Sequence, residues 1–132
     1  MLNPAPARDI PQTLLSLANI VVPNETESVA IGGTKNLLNL GVATVVTTLG
    51  ADGASIDTAS STTHIEPHKV TPIDTVGAGD AFIGATCAEL SRGASIEDAA
   101  RMGAIAGALA TTVKGAVPSL PTRQAVLAAQ KS

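Results

Sequence analysis

The run Val42-Ala43-Thr44-Val45-Val46-Thr47-Thr48 is apolar or β-branched at every position. Such a strand has no polar face to turn toward water, so it must be covered on both sides, as the central strands of parallel sheets are. That predicts an α/β architecture with helices over the sheet. The rest of the apolar content suits that geometry. Apolar residues make up 45% of the chain, mostly Ala and Val, with Phe82 the only aromatic. Small side chains fill a core only if helices approach closely.

Around the central strand, Leu2-Asn3-Pro4 reads as a short strand running into a Pro-rich turn. Pro11 to Ala18 has a helical pattern with Leu14, Leu15 and Leu17 inward, and Asn19 to Val22 is a buried strand stopped by Pro23. Asn24 with Glu27 has capping-box spacing, opening a helix from Glu25 to Leu40 that carries Gly32-Gly33 in its middle. Ala51-Asp52-Gly53 is a hairpin-type turn, followed by short polar edge strands from Ala54 to Val70. A helix from Asp80 to Arg92 is expected to point Ile83, Cys87 and Leu90 inward and to close at Gly93. Ser95 and Asp98 open an Ala-rich helix from Ile96 to Val113, and Lys114 to Pro121 is a loop before a last helix near Thr122 to Gln130. The whole, residues 1–132, reads as one α/β domain.

Several functions are excluded or disfavoured. A net charge of −3 and one aromatic give neither electrostatic pull on a phosphate backbone nor a platform for stacked bases, so no nucleic-acid partner is expected. Cys87 is the only cysteine, which allows no internal disulfide and no thiolate zinc site, and it reads as a small core residue. His64 and His68 lie among the edge strands and read as surface residues. No signal-peptide pattern opens the chain and no apolar run is long enough to span a bilayer, so a cytoplasmic protein is expected, with no membrane partner.

The segment Asp74-Thr75-Val76-Gly77-Ala78-Gly79-Asp80-Ala81-Phe82 carries the chemistry. Two glycines flank an alanine where a loop becomes a helix, so backbone N–H groups can converge on an anion at the positive end of the helix. Asp80, in the first turn, is placed to accept a proton from an attacking hydroxyl, the one base that phosphoryl transfer to an alcohol requires. The same residues read equally as a tight turn and a helix-stabilising carboxylate. The loop is neither a Walker A sequence nor a Gly-x-Gly-x-x-Gly fingerprint.

Asp74 to Phe82 closely resembles the second signature of the ribokinase-like (PfkB) carbohydrate kinases, Asp-Thr-x-Gly-Ala-Gly-Asp-x-Phe. Further segments resemble that family in its order. These are Asn3-Pro4-Ala5-Pro6-Ala7, typical of ribokinases proper; Asn24 to Glu27, the Asn-x-x-Glu motif; Thr48 to Gly53, the nucleotide turn; and Lys114 to Ser119, the loop near the adenine and cation sites. The resemblance covers nearly the whole chain and implies a partial doubly wound fold, with a mostly parallel sheet flanked by helices.

It also implies roles. Asp80 would be the catalytic base and touch the sugar, and Gly77, Ala78 and Gly79 would form the anion hole. Asn24, Thr48, Leu49, Gly50, Ala51, Asp52, Gly53, Gly79 and Ala104 would border ATP, although relatives often carry Asn or His where Ala104 stands. Glu27 would hold Mg²⁺ through its water shell, and Asp74, Val76, Ala110, Val113, Gly115 and Ser119 would hold a monovalent cation, K⁺. For Asn24 and Glu27, helix capping alone explains the pair equally well.

The family's first half, with its Gly-Gly sugar signature and β-sheet lid, has no counterpart among these residues; Gly32-Gly33 falls after Glu27, out of order for that signature. Two readings follow. One is ATP-dependent phosphorylation of a sugar hydroxyl, with ribose the leading substrate. The other is a non-catalytic remnant that binds nucleotide weakly, or that associates with itself, with a full-length kinase or with a missing N-terminal half through an exposed apolar sheet edge.

Overall fold

The computed structural model describes residues 1–132 as two compact units, Met1–His64 and Ile65–Ser132. In the first unit, β1 (Ile20–Val21) pairs in parallel with β2 (Thr44–Thr48), and β2 pairs antiparallel with β3 (Ala54–Asp57). The sheet order is β1-β2-β3-β4, and β4 (Thr62–Ile65) runs across the boundary between the units. β2 therefore occupies an interior position, and Val45, Val46 and Thr47 are buried in succession, as a strand covered on both faces requires. The Gly50–Asp52 turn reverses the chain into β3. Outside β1, Leu2 makes a parallel bridge to Val21, and the Asn3 amide donates to the Val22 carbonyl at 2.8 Å. Pro4 follows at once, so this outer edge is one bridge long.

Helix α1 (Gln12–Leu15) buries Leu15 but leaves Leu14 and Leu17 exposed, contrary to the expected inward set. A four-residue helix offers one inward position, and the remaining leucines fall outside its contact. The expected helix from Glu25 to Leu40 is two helices, α2 (Glu25–Ala30) and α3 (Thr34–Asn39). Gly32 and Gly33 both have positive φ, and the Gly33 amide donates back to Ser28 while Gly32 donates to Val29, closing α2 in a Schellman motif. Leu15, Val21, Ile31, Leu37, Val42 and Val45 form the core of this unit.

The second unit is built on α4 (Ala78–Ser91) against α5 (Ile96–Ala110), with α6 (Ala116–Ser119) and α7 (Arg123–Gln130) completing it. α4 starts two residues earlier than expected, placing Asp80 within its first turn. Its buried positions are Ala81, Phe82, Thr86 and Glu89, whereas Cys87 is exposed and Ile83 and Leu90 are half-buried, so the expected inner face is corrected. The reason is packing at close range. Gly103 and Gly107 on α5 remove two side chains from the contact, and α4 turns Phe82 and Thr86 into the space. Thr86 is tolerated there because its hydroxyl donates to the Phe82 carbonyl at 2.8 Å. α5 ends at Ala110 rather than Val113, and the predicted loop from Lys114 contains the single turn α6. Ser95 caps α5 as expected, accepting from the Asp98 amide at 3.1 Å, while the Asp98 carboxylate pairs with Arg101. No helix is long and apolar enough to cross a membrane.

Candidate functional site

In the first unit the candidate nucleotide residues converge at the ends of two parallel strands. Thr48 ends β2, and its amide donates to the Pro23 carbonyl at 2.9 Å; Asn24 and Thr48 form a parallel bridge. In open α/β sheets, ligands bind beyond the carboxyl ends of such strands. Asn24 Oδ1 accepts from the Glu27 amide at 2.8 Å, and Glu27 Oε2 accepts from the Asn24 amide at 2.9 Å, so the capping box is complete. The cap uses Asn24 Oδ1, and Asn24 is exposed, so its Nδ2 is a donor that capping does not use. Beside them, the Leu49 amide closes the Gly50-Ala51-Asp52 turn onto the Gly53 carbonyl at 2.9 Å.

In the second unit, the loop before α4 is held at several points. The Ile73 and Asp74 amides both donate to the Thr111 carbonyl, at 2.7 and 3.0 Å, tying the loop to the end of α5. Asp74 Oδ2 accepts from the Gly115 amide at 2.8 Å and Oδ1 from the Val76 amide at 3.0 Å. These bonds, Gly115's first and Val76's second, hold the Asp74 carboxyl below its ordinary value against the opposing effect of desolvation. Gly77, the N-cap, has φ 83°, and a β-carbon there would stand 3.1 Å from the Ala116 α-carbon. Backbone angle and space both demand glycine.

The Ala78 amide is engaged by the Thr75 carbonyl at 3.2 Å. The Gly79 and Asp80 amides, in the first turn of a 14-residue helix, have no intrahelical carbonyl to reach. A β-carbon built on Gly79 would meet nothing within 4 Å, and Gly79 and Asp80 are both exposed. Open space, two outward amides and the positive helix end together suit an anionic oxygen, with a carboxylate alongside.

Of the candidate cation residues, Asp74, Val76 and Gly115 are joined directly. The Ala110 carbonyl accepts from the Val113 amide at 3.3 Å, and the buried Ser119 donates to the Ala116 carbonyl at 2.7 Å. Ala104 is half-buried on α5. No three His, Cys, Asp or Glu side chains are grouped to hold a metal ion.

Other residues of this region were not singled out from sequence. Thr111 acts through its carbonyl, which no side-chain pattern reveals. A cleft of about 290 Å³ runs along α4 from Asp80 to Arg92, lined by Gly84, Ala88 and Met102 and ending at an Arg123–Glu89 pair with bonds of 2.7 and 3.1 Å. That bond to Arg123 holds the Glu89 carboxyl below its ordinary value. The partners stand 34 positions apart, beyond any local signal.

The profile of the pfkB family carbohydrate kinases matches residues 1–123. This chain belongs to the pfkB family. It is 40% identical to the ribokinase of Staphylococcus aureus (strain COL) over 139 residues, covering 96% of this chain and 46% of that protein. A crystal structure of ribokinase from Thermotoga maritima superposes with a TM-score of 0.92 at 32% identity, over 98% of this chain and 48% of the other. The structure of Arabidopsis thaliana ribokinase complexed with ribose and ATP gives a TM-score of 0.82 at 33% identity, over 93% of this chain and 44% of the other. The chain thus spans about half the length of these pfkB relatives.

Proposed function

We propose that this chain carries the nucleotide-side catalytic part of a sugar kinase that phosphorylates a sugar hydroxyl with ATP, ribose to ribose 5-phosphate being the leading reaction. The observation that carries this reading is the start of α4, where the outward Gly79 and Asp80 amides and the exposed Asp80 carboxylate adjoin unobstructed space. In the reaction the sugar oxygen forms a bond to the γ-phosphorus, the bond from that phosphorus to the β,γ-bridging oxygen breaks, and ADP departs. Asp80 takes the hydroxyl proton, and the first-turn amides stabilise charge on the transferring group.

Gly77 and Ala78 shape that hole, and Asn24 donates to nucleotide phosphate through Nδ2. The Thr48–Gly53 turn borders the nucleotide, as does Ala104. Mg²⁺, when bound, neutralises phosphate charge, and Glu27 would hold its waters. Asp74, Val76, Ala110, Val113, Gly115 and Ser119 would hold K⁺. The expected setting is the cytoplasm. Measuring ADP release with ribose and a panel of sugars tests the reading; a folded chain silent with every sugar removes turnover by this chain.

A second reading is favoured by the sheet edge outside β1, which Leu2 covers with one bridge to Val21. Here the chain binds nucleotide weakly without turnover, or associates with itself or with a full-length kinase through that edge. Size-exclusion chromatography at micromolar concentration separates the cases, because a clean monomer argues against association.

A further inference from the structure

The geometry points to Gly107, on α5, as a positioning residue for the anion hole at the start of α4, an inference that rests on the nucleotide reading above. A β-carbon at Gly107 would stand 3.1 Å from the Ala78 carbonyl oxygen and 3.6 Å from the Phe82 β-carbon. The first of these neighbours is backbone and cannot rotate away as a side chain would. The peptide group to which that oxygen belongs is planar and rigid, and its other end is the N–H of Gly79. Gly107 therefore bears on the oxygen end of the peptide whose nitrogen end is one of the two first-turn donors proposed for phosphate. A methyl group at Gly107 would push this unit as one piece and re-aim the donor.

Two further contacts make displacement at this point effective. One residue before Ala78, Gly77 lies against Ala116, where a β-carbon would be 3.1 Å from the α-carbon and 3.3 Å from the carbonyl oxygen. Upstream, Asp74 is fixed by the Gly115 and Val76 amides. The turn is thus bounded by close backbone neighbours at Gly77 and Ala78 and anchored at Asp74. Gly103, one turn earlier on α5, is the natural comparison. Its β-carbon would meet Thr86 and Phe82, with the Phe82 carbonyl oxygen at 2.8 Å, one turn into α4 and away from the Gly79 amide. Steric cost is present at both glycines, but only Gly107 presses on an anion-hole peptide.

The test is calorimetric titration of the full chain and its Gly107→Ala and Gly103→Ala variants with MgATP and with AMP, alongside thermal melts. Gly107→Ala is expected to weaken MgATP binding about tenfold, the order of a donor lost from a helix N-terminus, while AMP affinity holds. Gly103→Ala should lower the melting temperature while keeping the wild-type ratio of ATP to AMP affinity. If Gly107→Ala is too unstable to titrate, the measurement is repeated with Gly84→Ala added in both variants and the reference. That exposed helical site has nothing within 4 Å of a new β-carbon, so the change strengthens α4 without touching the hole. Equal ATP affinity in Gly107→Ala and wild type overturns the inference, as does an equal loss in Gly103→Ala, which would mean displacement of the whole helix. A wild-type chain that binds no MgATP removes the nucleotide reading itself, and the inference with it.

Discussion

Gly103→Ala puts the close approach of α4 and α5 to a quantitative test. The new β-carbon would lie 2.8 Å from the Phe82 carbonyl oxygen and 3.2 Å from its ring carbon Cδ2, and closer still to the Thr86 hydroxyl. All three neighbours are buried, and one is backbone, so the helices must separate or Thr86 must give up its bond to Phe82. Overpacking of this kind costs about 1–3 kcal/mol, and contacts this short place it near the upper end. Alanine in a helix interior returns about 0.8–1.0 kcal/mol relative to glycine. The net loss is about 2 kcal/mol. For a chain of 132 residues, about 2.1 cal/mol/K of unfolding entropy per residue converts this to a fall in Tm of about 7 °C. Gly84→Ala is the control, because it makes the same change in the same helix pair with nothing in reach. It should raise Tm by about 3 °C. Circular-dichroism melts at matched concentration measure both. A Gly103→Ala variant at least as stable as the wild type would refute the close-contact reasoning, and a rise matching that of Gly84→Ala would leave helix propensity alone governing both sites.

Asp80→Asn keeps a residue of similar size while removing proton acceptance, so stability should change by less than roughly 1 kcal/mol and any turnover should fall about 10²-fold or more, with nucleotide binding retained; full activity with a clear fall in Tm would make Asp80 structural. Asn24→Ala loses both the cap and the Nδ2 donor, costing about 1 kcal/mol in urea unfolding as well as nucleotide affinity, whereas Asn24→Asp keeps the cap and loses only affinity. Asp74 is depressed in the folded state, so its stabilisation is complete above the unfolded carboxyl value of about 3.9 and disappears as pH falls through the lower folded value. The Tm gap between wild type and Asp74→Asn should therefore be widest near neutral pH and close in acid; a gap independent of pH would show that the two backbone bonds do not discriminate charge.

Where local pattern decides the outcome, the residues alone were sufficient. The unbroken apolar run at Val45–Thr47 demanded cover on both faces, and it lies inside the sheet. Asn24 with Glu27, and Gly93 after α4, each act within a few residues of themselves, and their conformations are those their chemistry prefers. Helix faces were a different matter. Ile83, Cys87 and Leu90 share an apolar stripe, yet Phe82, Thr86 and Glu89 are buried. Two glycines on a neighbouring helix, and an arginine 34 positions away, decide which face goes inward. Likewise, only the folded chain shows that the Ala78–Gly79 peptide rests on Gly107, or that Asp74 reaches the Gly115 amide. Periodicity records what a helix can bury. Which side it does bury depends on the shape of whatever packs against it, and that shape is assembled from residues distant in the chain.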